Sequence, residues 1–115
     1  MSVKLRVVAL KAGMPTVMEA RARLKTELNT AKNRGTKVLK LIHGYGSSGV
    51  GGSLKDAIHK SLHRRKKEGK IRSYVAGEKW DIFEDSVREI LEECPELARD
   101  RDLNKYNEGI TIVLL

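Results

Sequence analysis

Three observations on this 115-residue sequence predict an α/β fold. Short apolar, β-branched runs alternate along the chain with stretches whose apolar residues recur at helical spacing. One such run, Lys37–Ile42, leads into a glycine-rich loop and then a helix, a strand–loop–helix corner on which α/β proteins build binding sites. At this length, with 40% hydrophobic and 33% charged residues, the chain has material for one core and no room for a second, so a single domain over residues 1–115 is expected.

In chain order, Val3–Leu10 is apolar and β-branched enough for a strand, with Lys4 and Arg6 on one face, and Lys11-Ala12-Gly13-Met14-Pro15 closes it as a loop. Thr16 and Glu19 form a capping box for a helix carrying Val17, Ala20, Leu24, Leu28 and Ala31, which Asn33-Arg34-Gly35 ends. Lys37–Ile42 is the second strand. Ser53 with Asp56 predicts the start of the next helix, with a buried stripe of Leu54, Ala57, Ile58, Ser61 and Leu62. Ile71–Val75 reads as a third strand. Asp81 and Glu84 are candidate caps for an acidic helix with Phe83, Val87, Ile90, Leu91 and Cys94 on one face, stopped by Pro95. Leu97–Gly109 reads as a polar loop. Ile110–Leu115 is apolar without alternation, which places it in the sheet interior.

The corner after strand two carries the most specific signal. Gly44, Gly46, Gly49, Gly51 and Gly52 let the backbone approach a ligand closely, and with Tyr45, Ser47 and Ser48 they form a loop suited to phosphate at a helix start. His43 stands at its edge. Two readings of it remain open: an imidazole that moves a proton, or a strand-end side chain that bonds backbone and shapes the loop.

The net charge of +8 is unevenly spread. Residues 1–77 hold 18 Lys/Arg against 4 Asp/Glu, a balance of +14, and residues 78–115 hold 5 against 11, a balance of −6. The densest cations are Arg64, Arg65, Lys66 and Lys67, a cluster of the kind that displaces counterions from nucleic acid, or else a solvated helix end complementing the dipole. One Phe, one Trp and three Tyr argue against a stacking platform for single strands, so phosphate contacts should dominate.

Other site classes find little support. Gly44-Tyr45-Gly46-Ser47-Ser48-Gly49 matches G-x-G-x-x-G, but no acidic strand end follows where a ribose hydroxyl would need it, and there is no P-loop run. His59 and His63 share a helix face, yet Lys60 stands where a zinc protease motif has Glu, and both read as facing solvent. Cys94 reads as core packing. No cofactor is expected, and no ligand cluster supports a divalent metal. A lone cysteine, the lack of any apolar run of membrane-spanning length and the lack of a secretory leader make a cytoplasmic protein the expectation.

The run I-H-G-Y-G-S-S-G-V-G-G-S-L-K-D-A-I-H-K-S-L, from Ile42 to Leu62, resembles the central motif of the small MutS-related (Smr) domain family, and Gly109–Leu115 resembles the family's closing G-x-T-x-V strand. The resemblance implies a two-layer βαβαββ sandwich on a mixed four-stranded sheet, similar to the C-terminal domain of bacterial translation initiation factor 3, to which this chain adds an acidic helical insertion at about 79–105. It also implies nucleic acid, RNA or DNA, as partner, and an endonuclease activity that nicks DNA or cuts RNA, for some relatives near ribosomes. Two departures stand out. Where the family's first strand ends in Leu-Asp-Leu-His-Gly, this chain has Ala9 in place of Asp and Lys11 in place of His. The acidic helix is additional to the compact family pattern.

For cleavage, His43 would supply proton transfer, the Gly44–Gly52 backbone would hold phosphate, and Lys11, Lys40 or Arg72 would neutralise charge. Three hypotheses follow: a slow endonuclease; a lapsed module that grips phosphate backbone through the loop and Arg64–Lys67; and an interaction protein whose acidic helix pairs with a basic partner or folds over its own basic face.

Overall fold

The most apolar strand lies inside the sheet. Ile110–Leu114 pairs antiparallel with Val38–Ile42 on one side and with Ser73–Ala76 on the other, and Val38–Ile42 pairs parallel with Leu5–Ala9. Numbered along the chain as β1 (Leu5–Ala9), β2 (Val38–Ile42), β3 (Ser73–Ala76) and β4 (Ile110–Leu114), the strands form one mixed sheet of order β1-β2-β4-β3. The computed structural model describes residues 4–45 and 50–115, with residues 50–52 described by their backbone alone.

Both faces of the sheet are covered, which explains why β2 and β4 lack alternation. On one face Leu39, Leu41 and Val113 pack against Leu24 and Leu28 of α1 (Val17–Asn33) and Leu54, Ile58 and Leu62 of α2 (Val50–Lys67). On the other, Val38, Ile110, Ile112 and Leu114 pack against Val87 and Ile90 of α3 (Asp85–Glu93), with Trp80, Cys94 and Leu97 completing a second core. The expected two-layer frame is therefore present, and the acidic helix closes its open side.

Local sequence accounts for most element boundaries. The Thr16 hydroxyl accepts from the Glu19 N–H at 3.1 Å while the Thr16 N–H donates to the Glu19 carboxylate at 3.0 Å, the capping box expected for α1. Helix α2 starts at Val50, ahead of the expected Ser53, so Gly51 and Gly52 lie in its first turn and not in the loop. Each glycine costs a helix about 1 kcal/mol, which the buried stripe of Leu54, Ile58 and Leu62 outweighs.

Two expectations for the insertion are corrected. Phe83 precedes α3 and is 85% exposed; its N–H donates to the Asp81 carboxylate at 2.8 Å, so Asp81 holds a turn and does not cap the helix. The segment after Pro95 is more than a polar loop, because Pro95–Arg99 forms a short 3-10 helix that buries Leu97.

Candidate nucleic-acid interface

Parallel pairing of β1 and β2 brings Lys11 and His43 to the same end of the sheet, where the Lys11 N–H donates to the Ile42 carbonyl at 3.3 Å. The chain then turns at Gly44, whose φ of +76° favours glycine, with the Lys11 side chain 3.2 Å from where a Cβ would stand. The N–H groups of His43 and Gly44 converge on the Gly109 carbonyl at 3.1 and 3.0 Å, tying the turn to the loop ahead of β4.

The His43 ring points away from this turn, into the face shared with α2, and is fully buried. Its Nδ1 lies 2.9 Å from the Gly44 carbonyl and its Nε2 lies 2.8 Å from the Thr111 hydroxyl, which also meets Nε2 of His59 at 2.8 Å. A carbonyl only accepts, so Nδ1 of His43 carries the proton and its Nε2 accepts from Thr111. The hydroxyl, having donated to His43, accepts from His59. The result is a directed chain, His59 to Thr111 to His43 to Gly44, with the His43 ring neutral and both of its nitrogens engaged. Burial pushes both histidines below their ordinary range; nearby Lys55 adds to this for each, and His59 adds to it for His43. His59 is thus half-buried and bonded, not solvent-facing as its sequence position suggested; His63 is exposed.

Lys55, the basic residue of the motif's Ser53-Leu54-Lys55 helix start and not among the expected site residues, is buried beside this chain. Its ammonium reaches both Glu78 carboxylate oxygens at 2.8 Å and sits 5.4 Å from the centre of the Tyr45 ring.

The structure divides the expected phosphate ligands. Arg64 and Arg65 line a groove of about 550 Å³ between α1 and α2, together with Arg21 and Lys25, and Lys66 and Lys67 are exposed on the last turn beyond it. Lys25 and Arg65 also line an adjoining cleft with Lys32 and Lys70. None of Arg21, Lys25, Arg64 and Arg65 forms an ion pair with a described residue. Gly44, Tyr45 and Lys11 line a separate cleft at the strand ends, while Gly46, Ser47, Ser48 and Gly49 lie outside the described residues.

Lys40 and Arg72 are corrected. Alternation along β2 turns Lys40 to the α3 side, where it is buried and its ammonium is held by Asp100 at 2.7 Å and Asp102 at 2.6 Å. Burial works against the Asp102 charge, but bonds from Asn107 and Lys40 outweigh it and hold the carboxyl below its usual range. Trp80 donates to the second oxygen of Asp100 at 3.0 Å. Arg72 precedes β3, at the opposite end of the sheet from His43, and its guanidinium binds Glu93 at 2.8 Å and Glu89 at 2.7 Å. Those bonds pair the acidic helix with one of the expected cations, Arg72, while the helix packs on the sheet face away from α1 and α2 and so does not cover Arg64–Lys67. Lys40 was readable in principle, since a lysine inside a continuous apolar strand requires a buried acidic partner.

Among the described residues no group of three or more His, Cys, Asp or Glu side chains is placed to hold a metal ion, and no helix is long and apolar enough to cross a membrane.

No curated protein matches the chain. Among solved structures, the Smr domain of Thermus thermophilus MutS2 aligns with a TM-score of 0.57 at 23% identity, covering 98% of each chain, which establishes a shared fold. The family model described as Smr domain matches residues 12–81, more than half of the chain, and the matched segment includes the His43–Gly44 turn and the whole of α2. On that match and that fold, the chain belongs to the Smr domain family.

Proposed function

We propose that this Smr domain, from a family associated with nucleic-acid binding and nuclease activity, binds the phosphate backbone of RNA or DNA along the groove between α1 and α2, with the His43–Gly44 turn acting as a rigid corner and not as a catalyst. The observation that carries this reading is the pairing pattern of the cations. Arg6, Lys40, Lys55 and Arg72 each hold a carboxylate, whereas Arg21, Lys25, Arg64 and Arg65 gather on one groove without one. Clustered like charges raise each other's free energy, and burial together with Arg64 and Arg21 lowers the Arg65 pKa against the opposing pull of Glu68, so a polyanion relieves a repulsion that Glu68 offsets only in part. The histidine chain supports the non-catalytic half, since proton transfer to a substrate requires a nitrogen that His43 has already committed to Gly44 or Thr111.

The cytoplasm is part of this proposal. Cys94, buried, with its thiol pushed up to about 11 by that burial, fits a reducing compartment without need of a partner.

Fluorescence anisotropy with labelled duplex and single-stranded probes across a salt series tests the reading. Four phosphates engaged by these four cations give a log–log slope of roughly −3 to −4 on duplex DNA, about a hundredfold loss between 50 and 200 mM salt. Replacing Arg64 and Arg65 by Ala should reduce the slope by about 2. An unchanged slope in that variant would refute the groove. The same samples run on a gel address cleavage: nicking lost in His43→Ala with folding intact would overturn the non-catalytic role.

A further inference from the structure

The cleft at the strand ends is not used by this groove. It holds about 570 Å³, inside the size range of small-ligand sites, and is walled on one side by the Gly44 turn and on the other by residues 101–109 of the insertion. We propose that it takes one unpaired nucleotide of the bound nucleic acid, the base lying against Tyr45 and Tyr106 and the phosphate meeting Lys11 and Arg101. The proposal rests on the backbone-binding reading and names the feature of the nucleic acid that this second site recognises.

Aromatic residues are scarce in the chain, with only three tyrosines, yet two of them line this one cleft at 60% and 70% exposure. A phenol ring left in water where the fold has a core on each sheet face is apolar surface held ready for a partner, and every base offers a π-face to such a ring. Tyr45 follows the Gly44 turn directly and has the Lys55 ammonium 5.4 Å from the centre of its ring. Tyr106 stands at φ +59°, a left-handed conformation that bulky side chains rarely take, so the loop presents this ring at a cost in backbone strain.

The charges select the ligand class. Lys11 and Arg101 form no ion pair with a described residue and suit a phosphate. Glu108 lines the same cleft, also without an ion pair, and a carboxylate there disfavours a simple anion. It suits instead a ligand with an anionic end and a face of N–H donors, which is what a nucleotide offers and inorganic phosphate does not. In a duplex, pairing hides the Watson–Crick edge and stacking hides the π-face, so the nucleotide must be unpaired.

Anisotropy with a short blunt duplex, and with the same duplex bearing a short single-stranded tail, separates this site from the groove. The wild type should bind the tailed probe about tenfold more tightly. Tyr106→Asn, which tolerates positive φ while removing the ring, should abolish that preference and leave blunt-duplex affinity and Trp80 fluorescence unchanged; Tyr106→Phe should keep it. Equal binding of both probes by the wild type, or a preference that survives Tyr106→Asn, overturns the cleft assignment while the groove stands. Tight binding of the tailed probe alone would instead overturn the groove and keep the cleft. Binding of neither probe defeats both.

Discussion

Replacing Lys40 by Met tests how the acidic insertion is held to the sheet. The ammonium is buried and sits 2.7 and 2.6 Å from two carboxylates whose side chains are themselves only 11% and 12% exposed. Removing it leaves two adjacent anions out of water, and breaking a buried pair in this way costs about 3–5 kcal/mol. For a chain of this length that is roughly 12–20 °C in melting temperature. Trp80 is the natural probe: it is the sole tryptophan, it is buried, and its indole N–H donates to Asp100. Urea denaturation followed by its emission should show the loss near pH 7. The pH dependence supplies the sign. In the wild type the Asp102 carboxyl lies below its unfolded value of about 3.9, so its contribution is complete above that value and is lost only as pH falls through the lower folded pKa. In Lys40→Met the two carboxylates face each other without a cation, the Asp102 carboxyl loses the bond and charge that held it low while its burial remains, and protonation in mild acid relieves the repulsion. The gap between the two proteins should therefore narrow as pH falls from 7 toward 4. Converting Lys40, Asp100 and Asp102 together to Met, Asn and Asn should recover more than half of the lost stability, since the asparagines still accept from Trp80 and Asn107. A loss under about 1 kcal/mol, or a gap independent of pH, would refute the buried-charge account.

Two further outcomes follow from the same physics. The His59–Thr111–His43 chain holds both rings neutral with folded pKa values below about 6.5, so the unfolded chain binds more protons in mild acid, and stability should be complete above pH 6.5 and decline below it; thermal melts against pH check this, and Thr111→Val, which leaves both Nε2 atoms unbonded, should cost about 2–4 kcal/mol at pH 7.5. At Gly77 a Cβ would stand 1.7 Å from the Asn107 carbonyl oxygen and 2.7 Å from a side-chain carbon of Ile110, so Gly77→Ala must displace backbone and should cost about 3 kcal/mol or more in urea titration; a near-neutral effect would mean that the insertion does not close on β4 as described.

The sheet was legible in the sequence because its signals are local. The unbroken apolar run at Ile110–Leu114 required burial on both faces, and β4 lies between two strands with a core on each side. Thr16 and Glu19 sit three apart and cap α1 through their own backbone. The site was less legible because its contacts are long-range. Nothing near His43 in sequence announces that Thr111, 68 residues later, takes its Nε2, or that Glu78 holds Lys55. Composition is silent on placement in the same way: three tyrosines in 115 residues are few, yet the fold brings two of them to one cleft.

Position within the fold also changes what the charge means. A net +8 averages a basic body with an acidic tail, and as a single number it understates the field that a polyanion meets. The sheet stands between the two. Arg21, Lys25, Arg64 and Arg65 lie on the α1–α2 side, while Glu89 and Glu93 of α3 lie on the other and are spent on Arg72. Asp100 and Asp102 are spent on Lys40, inside the structure. The insertion's carboxylates that pair with Arg72 and Lys40 thus neutralise charge the groove does not use. Beyond the Debye length of about 8 Å at physiological salt, the remaining acidic residues of that face are screened from a ligand on the opposite one. The acidic segment therefore reinforces the fold without weakening the basic surface of the groove.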